Sequence, residues 1–183
     1  MKALKHLGQH FLRDQNIIRK IISDFADKAH SVLEIGPGPG ALTKSLAQSK
    51  LPFNVLEKDE RMVEGLNEWM DPEQIIQADA VKYDWNLFNH KLPAPIWVVS
   101  NLPYNVGVPI IRSLIPWIPA KYFTLMLQKE VAQKIVEGPG SLHHLINTYF
   151  KTSKLTVVSP GAFNPPPKVI SWVIYLERLE KPL

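Results

Sequence analysis

Ser31-Val-Leu-Glu-Ile-Gly-Pro-Gly-Pro-Gly40 is the stretch that decides the fold. Its first half, Ser31–Ile35, is a short, mostly apolar run of strand length. Its second half spaces Gly36, Gly38 and Gly40 so that missing side chains let the backbone come close to a ligand. A helix is expected next, from Ala41 to about Gln48. The same alternation continues downstream. Phe53–Leu56 is a predicted strand ending at Glu57, followed by a helix from Glu60 to Met70. Gln74–Gln77 is a strand ending at Asp79, and Ile96–Val99 a strand ending at Asn101. Phe123–Leu127 leads into a helix over Lys129–Val136, then a helix over Leu142–Phe150 and strands near Leu155–Val158 and Val169–Leu176. Upstream, Asp14 is a good N-cap for a helix carrying Ile17, Ile18, Ile21, Ile22 and Phe25 to about Lys28. Apolar strands alternating with amphipathic helices predict an α/β fold with a parallel sheet covered on both faces. Only Ser159–Lys168, with four prolines, separates the last two strands, which suits an antiparallel hairpin.

The chain has 183 residues, enough for one domain with a substantial core. With no cysteine, disulfides, thiolate metal sites and thiol catalysis are excluded together. No stretch has the uninterrupted apolar length of a membrane span, and the N-terminus lacks the apolar core of a signal peptide, so the expectation is a cytoplasmic protein. The net charge of +4 is unevenly spread: residues 1–28 carry six Lys/Arg against three Asp/Glu, residues 29–120 seven against ten, and residues 121–183 eight against four. Basic ends flanking an acidic middle suit a polyanion at the ends and a cofactor in the middle, although solvated lysines alone would look the same.

In such sheets ligands sit beyond the carboxyl ends of the strands, where this chain places Glu34, Glu57, Asp79 and Asn101. The glycine turn lacks the last glycine of G-x-G-x-x-G, and no Gly-Lys-Ser/Thr follows to clamp a phosphate. Glu57 lies 21 positions beyond Gly36, where a carboxylate accepts hydrogen bonds from ribose hydroxyls, and Asp79 is placed to accept from an adenine amine. This set fits S-adenosylmethionine better than NAD and calls for no metal.

Asn101-Leu-Pro-Tyr104 is the sharpest signal. An adenine amine is a poor nucleophile because its lone pair is delocalised into the ring. Acceptors on its two hydrogens, the Asn101 amide oxygen and the Leu102 carbonyl, favour a pyramidal nitrogen with its lone pair exposed. Pro103 fixes the backbone, and Tyr104 offers a stacking face worth about 1–3 kcal/mol per base. Alignment and electrostatic preorganisation supply the rest.

Gln9-His-Phe-Leu12, Glu34-Ile-Gly-Pro-Gly38, Glu57, Asp79-Ala80, Asn101-Leu-Pro-Tyr104, Met126-Leu-Gln-Lys-Glu130 and Phe163-Asn-Pro-Pro-Pro-Lys-Val169 occur in this order. Together they resemble the KsgA family of ribosomal RNA adenine dimethyltransferases over nearly the whole chain. The resemblance implies a Rossmann-like class I S-adenosylmethionine-dependent methyltransferase, with a mostly parallel seven-stranded sheet and an antiparallel last strand. It implies that His10 and Leu12 line the methionine end of the cofactor, that Gly36 and Gly38 face its carboxylate side, and that Glu57 and Asp79 hold ribose and adenine. Asn101 would be the catalytic amide and also contact the cofactor, with Tyr104 and Phe163 sandwiching the target base. The implied substrate is a pair of adjacent adenosines near the 3′ end of small-subunit rRNA, each dimethylated by a monomeric enzyme during late subunit assembly.

This sequence departs from the family at Ile170 (usually Asp) and Val108 (usually Thr), and it lacks a short Tyr-Gly-containing stretch between Ser141 and Leu142. The resemblance further implies that residues 1–183 are the catalytic domain, with a basic arm over about 1–13, and that the family's small C-terminal helical domain is absent. Alternatives are an Erm-like enzyme acting on large-subunit rRNA, a non-catalytic RNA-binding factor that keeps the fold, and a nicotinamide oxidoreductase. Gln128-Lys-Glu130 and Pro165-Pro-Pro-Lys168 disfavour the first, the retained Asn101, Tyr104 and Phe163 the second, and the glycine spacing the third.

Overall fold

The computed structural model describes residues 10–88 and 91–183. Residues 1–9, including most of the expected basic arm, lie outside the described residues. In chain order the strands are β1 (Phe11–Leu12), β2 (Ser31–Ile35), β3 (Phe53–Glu57), β4 (Ile75–Gln77), β5 (Ile96–Asn101), β6 (Ala120–Gln128), β7 (Phe150–Val158), β8 (Phe163–Asn164) and β9 (Ser171–Arg178). The helices are α1 (Gln15–Ile22), α2 (Thr43–Leu46), α3 (Glu60–Asn67), α4 (Gly107–Leu114), α5 (Lys129–Val136) and α6 (Ser141–Tyr149). Seven strands form one sheet in the order β4-β3-β2-β5-β6-β9-β7. The first five are parallel, and β9 runs antiparallel to both of its neighbours. The last strand in sequence is therefore the only one of the seven that is reversed.

Alternate residues of each central strand feed two separate cores. Leu33, Ile35, Val98, Phe123, Leu125 and Ile174 face α4, α5 and α6. Val32, Val55, Trp97, Val99, Met126 and Val173 face α1, α2 and α3. Burial on both faces explains why these strands read as continuous apolar runs.

β7 starts earlier than expected, at Phe150, α3 ends earlier, at Asn67, β1 and β8 were not expected, and three helices differ further. α1 starts as expected, with Asp14 accepting from the Asn16 and Ile17 amides at 2.8 and 3.2 Å, but it stops at Ile22. Beyond it Phe25 leaves the helical path to stack on Tyr122 with ring centroids 4.8 Å apart. Asp24 accepts from the Thr124 hydroxyl, which in turn accepts from Trp97 Nε1 at 2.9 Å. The helix after the glycine turn shrinks to the single turn of α2. No element was expected between Tyr104 and Phe123, where Gly107 and Pro109 are residues that ordinarily interrupt a helix. Pro109 sits in the first turn, where no intrahelical N–H partner is lost. A Cβ on Gly107 would come within 2.8 Å of Leu127 Cδ2, so glycine there lets α4 lie close against β6.

Arg178 closes the lower end of the sheet. Its guanidinium donates to the carbonyls of Ala120 (2.8 Å), Ile115 (2.9 Å), Trp117 (3.2 Å) and Leu114 (3.3 Å) and lies over the Phe150 ring. No helix of the described residues is long and apolar enough to cross a membrane. Arg178→Met keeps the stem over Phe150 but removes the guanidinium from all four carbonyls, of which Leu114 and Trp117 keep a backbone amide. It is expected to cost about 2–4 kcal/mol of unfolding free energy, read as a lower urea midpoint with unchanged slope.

Candidate active site

Successive strand ends and the loops after them build one cavity. It is lined by His10, Leu12, Glu34, Gly36, Gly38, Glu57, Asp79, Asn101, Leu102 and Tyr104, with Lys58 and Phe11 at its wall. The cavity is open to solvent on one side, and its lining comes from the ends of β2, β3 and β5, the start of the chain, and the loops after β2, β3, β4 and β5. Of the residues singled out in sequence, all but Phe163 meet here.

The floor is the glycine turn. Gly36, Gly38 and Gly40 have φ of 67°, 54° and 86°, in the left-handed region that side chains resist. Glu57, at the end of β3, locks this turn. Its Oε2 accepts from the Gly38 amide at 3.1 Å, while Oε1 accepts from Lys58 and Asp59 amides at 2.8 Å each. Burial raises the Glu57 pKa, and these three N–H groups oppose the rise. At the end of β4, Asp79 Oδ1 accepts from the Val81 amide at 3.0 Å and Oδ2 pairs with Lys58 Nζ at 2.9 Å. The Lys58 contact holds its carboxyl below the usual range.

Glu34 is the residue whose weight the sequence did not reveal. It is 1% exposed, and its pKa is pushed up to about 8, chiefly by burial and further by the Glu57 charge. The neighbouring Thr43 hydroxyl offsets part of that shift, yet neither Glu34 Oε2 nor Thr43 Oγ1 has a formed hydrogen bond. An orphaned carboxyl oxygen on a cavity wall is a group in want of a donor.

The upper half is organised by β1, which pairs antiparallel with β8 through Phe11↔Asn164 and Leu12↔Phe163. His10 Nδ1 bonds the Pro165 carbonyl at 2.9 Å, and its ring lies 5.2 Å from that of Tyr104. Asn101 Nδ2 donates to the His10 carbonyl at 2.9 Å. A carbonyl can only accept, so the amide nitrogen must face it. That leaves Asn101 Oδ1 as the acceptor for a ligand. The Tyr104 hydroxyl is tied to Ser171 Oγ at 2.6 Å, and burial raises its pKa. Ser171 opens β9, so the reversed strand positions the aromatic residue.

Phe163, which the resemblance pairs with Tyr104 on the target base, does not line the cavity. Its ring is 4% exposed and packs in the core with Leu12, Ile18 and Ala162. It lies outside the residues that line the cavity, because pairing of β8 with β1 turns it inward. The two departures from the family pattern are peripheral: Ile170 is 42% exposed, with its carbonyl taking the Lys129 amide at 2.9 Å, and Val108 sits in the first turn of α4.

The residues present fit S-adenosylmethionine: a glycine cradle with room at Gly36, carboxylates at two successive strand ends, and an orphaned carboxyl at the turn. This sheet order and site define a Rossmann-like class I S-adenosylmethionine-dependent methyltransferase. Comparison with known proteins carries the assignment further. The sequence profile described as "Ribosomal RNA adenine dimethylase" matches residues 1–183. "Ribosomal RNA small subunit methyltransferase A" of Cereibacter sphaeroides is 39% identical over all of this chain, which spans 69% of that relative. A dimethyladenosine transferase from Plasmodium falciparum superposes with TM-score 0.74 at 32% identity, over 93% of this chain and 64% of that one. The 23S rRNA methyltransferase ErmE superposes with TM-score 0.78 at 29% identity, over 94% of this chain and 71% of that one. The chain belongs to the ribosomal RNA adenine dimethylase family.

Glu34 makes stability pH-dependent in a definite direction. A carboxyl whose folded pKa is near 8 instead of 4.5 stabilises the fold fully below pH 4.5 and loses that contribution as pH rises towards 8. Glu34→Gln, which cannot ionise, should flatten the fall of unfolding free energy over that window. Equal slopes for both proteins in urea titrations would contradict the assignment.

Proposed function

We propose that this domain dimethylates the exocyclic amines of two adjacent adenosines near the 3′ end of small-subunit rRNA, acting as a monomer in the cytoplasm on the small subunit or its precursor. The observation that carries the reading is the fixed orientation of Asn101, whose amide nitrogen is held by the His10 carbonyl so that Oδ1 is left for the cavity.

S-adenosylmethionine, when bound, supplies an electrophilic methyl group. Glu57 would accept from its ribose, Asp79 from its adenine, and His10, Leu12 and the amides of Gly36 and Gly38 would surround its methionine end. Asn101 Oδ1 and the Leu102 carbonyl accept the two hydrogens of the target amine and concentrate its lone pair. Leu102 is suited to this because its own amide is tied to the Met126 carbonyl at 3.1 Å, which anchors the segment. Tyr104, oriented by Ser171, offers one stacking face. The methylated amine becomes acidic, so its proton can pass to water without a dedicated base. The target must be unpaired or flipped, since the amine is out of reach in a stacked duplex. Phe163 can close on the base only if its ring leaves the core, so its part in the sandwich requires a rearrangement of β8.

An Erm-like activity on large-subunit rRNA is the second reading, favoured by the superposition on ErmE. Sequence identity to the small-subunit enzyme, at 39%, weighs the other way.

The test incubates the protein with methyl-labelled S-adenosylmethionine and unmethylated small or large ribosomal subunits, then identifies the labelled nucleoside. Dimethyladenosine from small subunits is expected. Asn101→Ala should retain cofactor binding yet lose about 10²–10³-fold in turnover, the scale of removing one preorganised polar group. Label only in large subunits would establish the second reading.

A further inference from the structure

Lys58 has no part in the chemistry above, yet its side chain crosses the nucleoside end of the cavity. It follows Glu57 directly, and its backbone N–H is fixed by Glu57 Oε1 at 2.8 Å. Its ammonium reaches from the end of β3 to Asp79 Oδ2, 2.9 Å away at the end of β4, and both residues line the cavity. Asp79 Oδ1 is already engaged by the Val81 amide at 3.0 Å. Oδ2, to which no backbone amide of the described residues donates, is the oxygen that lysine holds, so a ligand donor arriving there meets the ammonium first.

We propose that Lys58 is a displaceable latch on the adenine subsite, so that cofactor entry transfers Asp79 Oδ2 from the lysine ammonium to the adenine amine. The inference rests on the assignment of Asp79 to adenine. The latch can open cheaply: the Lys58 side chain is 64% exposed, so its ammonium rehydrates as it swings out, whereas Asp79 is 26% exposed and stays at the wall. Exposed ion pairs of this kind are weak, so the latch tunes affinity without blocking the site. Its weakness also makes it sensitive to salt, which screens the ion pair more than it screens hydrogen bonds to a neutral ligand. Lys58 is therefore a determinant of cofactor affinity that acts by competition. A lysine that merely supports the site would act in the opposite sense, its loss weakening binding.

S-adenosylhomocysteine is the probe of choice because it carries no net charge, and the salt response of its ammonium and carboxylate is common to all the proteins compared. Calorimetric titrations of wild type, Lys58→Met and Lys58→Arg are compared between about 0.05 and 0.5 M salt. Methionine keeps the apolar stem without the charge, and arginine keeps the ion pair. The proposal expects Lys58→Met to bind about two- to fivefold tighter than wild type at low salt. It also expects the affinity advantage of Lys58→Met over wild type and Lys58→Arg to shrink as salt rises. Unchanged or weaker binding by Lys58→Met, or an advantage that does not shrink with salt, would overturn it. Failure of wild type to bind S-adenosylhomocysteine at all would instead overturn the cofactor assignment, and the latch with it.

Discussion

The Glu57 carboxylate accepts three backbone N–H groups, one from the glycine turn and two from the loop that starts α3. Those loops leave adjacent parallel strands, and neither has regular structure of its own to satisfy its amides. Without the carboxylate, the Gly38 amide would lack its partner, and the turn would be tied to β3 through the Gly36 amide on the Leu56 carbonyl at 2.9 Å. The acid is kept in a buried place by these bonds, which oppose the cost of desolvating its charge. A side chain suited to ribose hydroxyls is thus also the strut of the pocket. For that reason Glu57→Ala would report on folding of the turn as much as on ligand binding.

A second strut completes the other half. β1 and β8 lie about 150 residues apart in sequence and form a two-stranded ribbon beside the main sheet. Through the His10 carbonyl this ribbon sets the Asn101 amide, and through Ser171 the reversed strand β9 sets the Tyr104 hydroxyl. The same ribbon buries Phe163. Preorganisation of the amide acceptor and withdrawal of one aromatic ring are consequences of one packing arrangement. Substrate-driven opening of the ribbon would have to release Phe163 without disturbing Asn101.

Much of this was legible in the sequence because it is written locally. The run Ser31–Ile35 into Gly36, and Phe53 into Glu57, place strand ends and their acids by period and punctuation alone, and both strands lie where the sequence put them. α4 was hidden because Gly107 and Pro109 are residues that ordinarily interrupt a helix, while the requirement that selects glycine is contact with Leu127 on another strand. The early end of α1 was hidden for a similar reason: Phe25 continues the helical spacing, but Tyr122 and Trp97 pull it away. The place of Phe163 was not legible because the prolines after it say nothing of a partner strand near the N-terminus. The Glu34 shift depends on complete burial between two faces of the sheet, which no local pattern announces.

In the function proposed above, one cavity holds the cofactor along the line from Asp79 through Glu57 to the glycine turn and presents its reactive end to Asn101. A crystal structure of the complex with S-adenosylhomocysteine tests this most directly. The account predicts ribose hydroxyls on Glu57, the adenine amine on Asp79, and the thioether facing Asn101 Oδ1, with Asn101 Nδ2 still on the His10 carbonyl. A ligand bound in the reverse sense, or an Asn101 amide turned with its nitrogen towards the ligand, would contradict it.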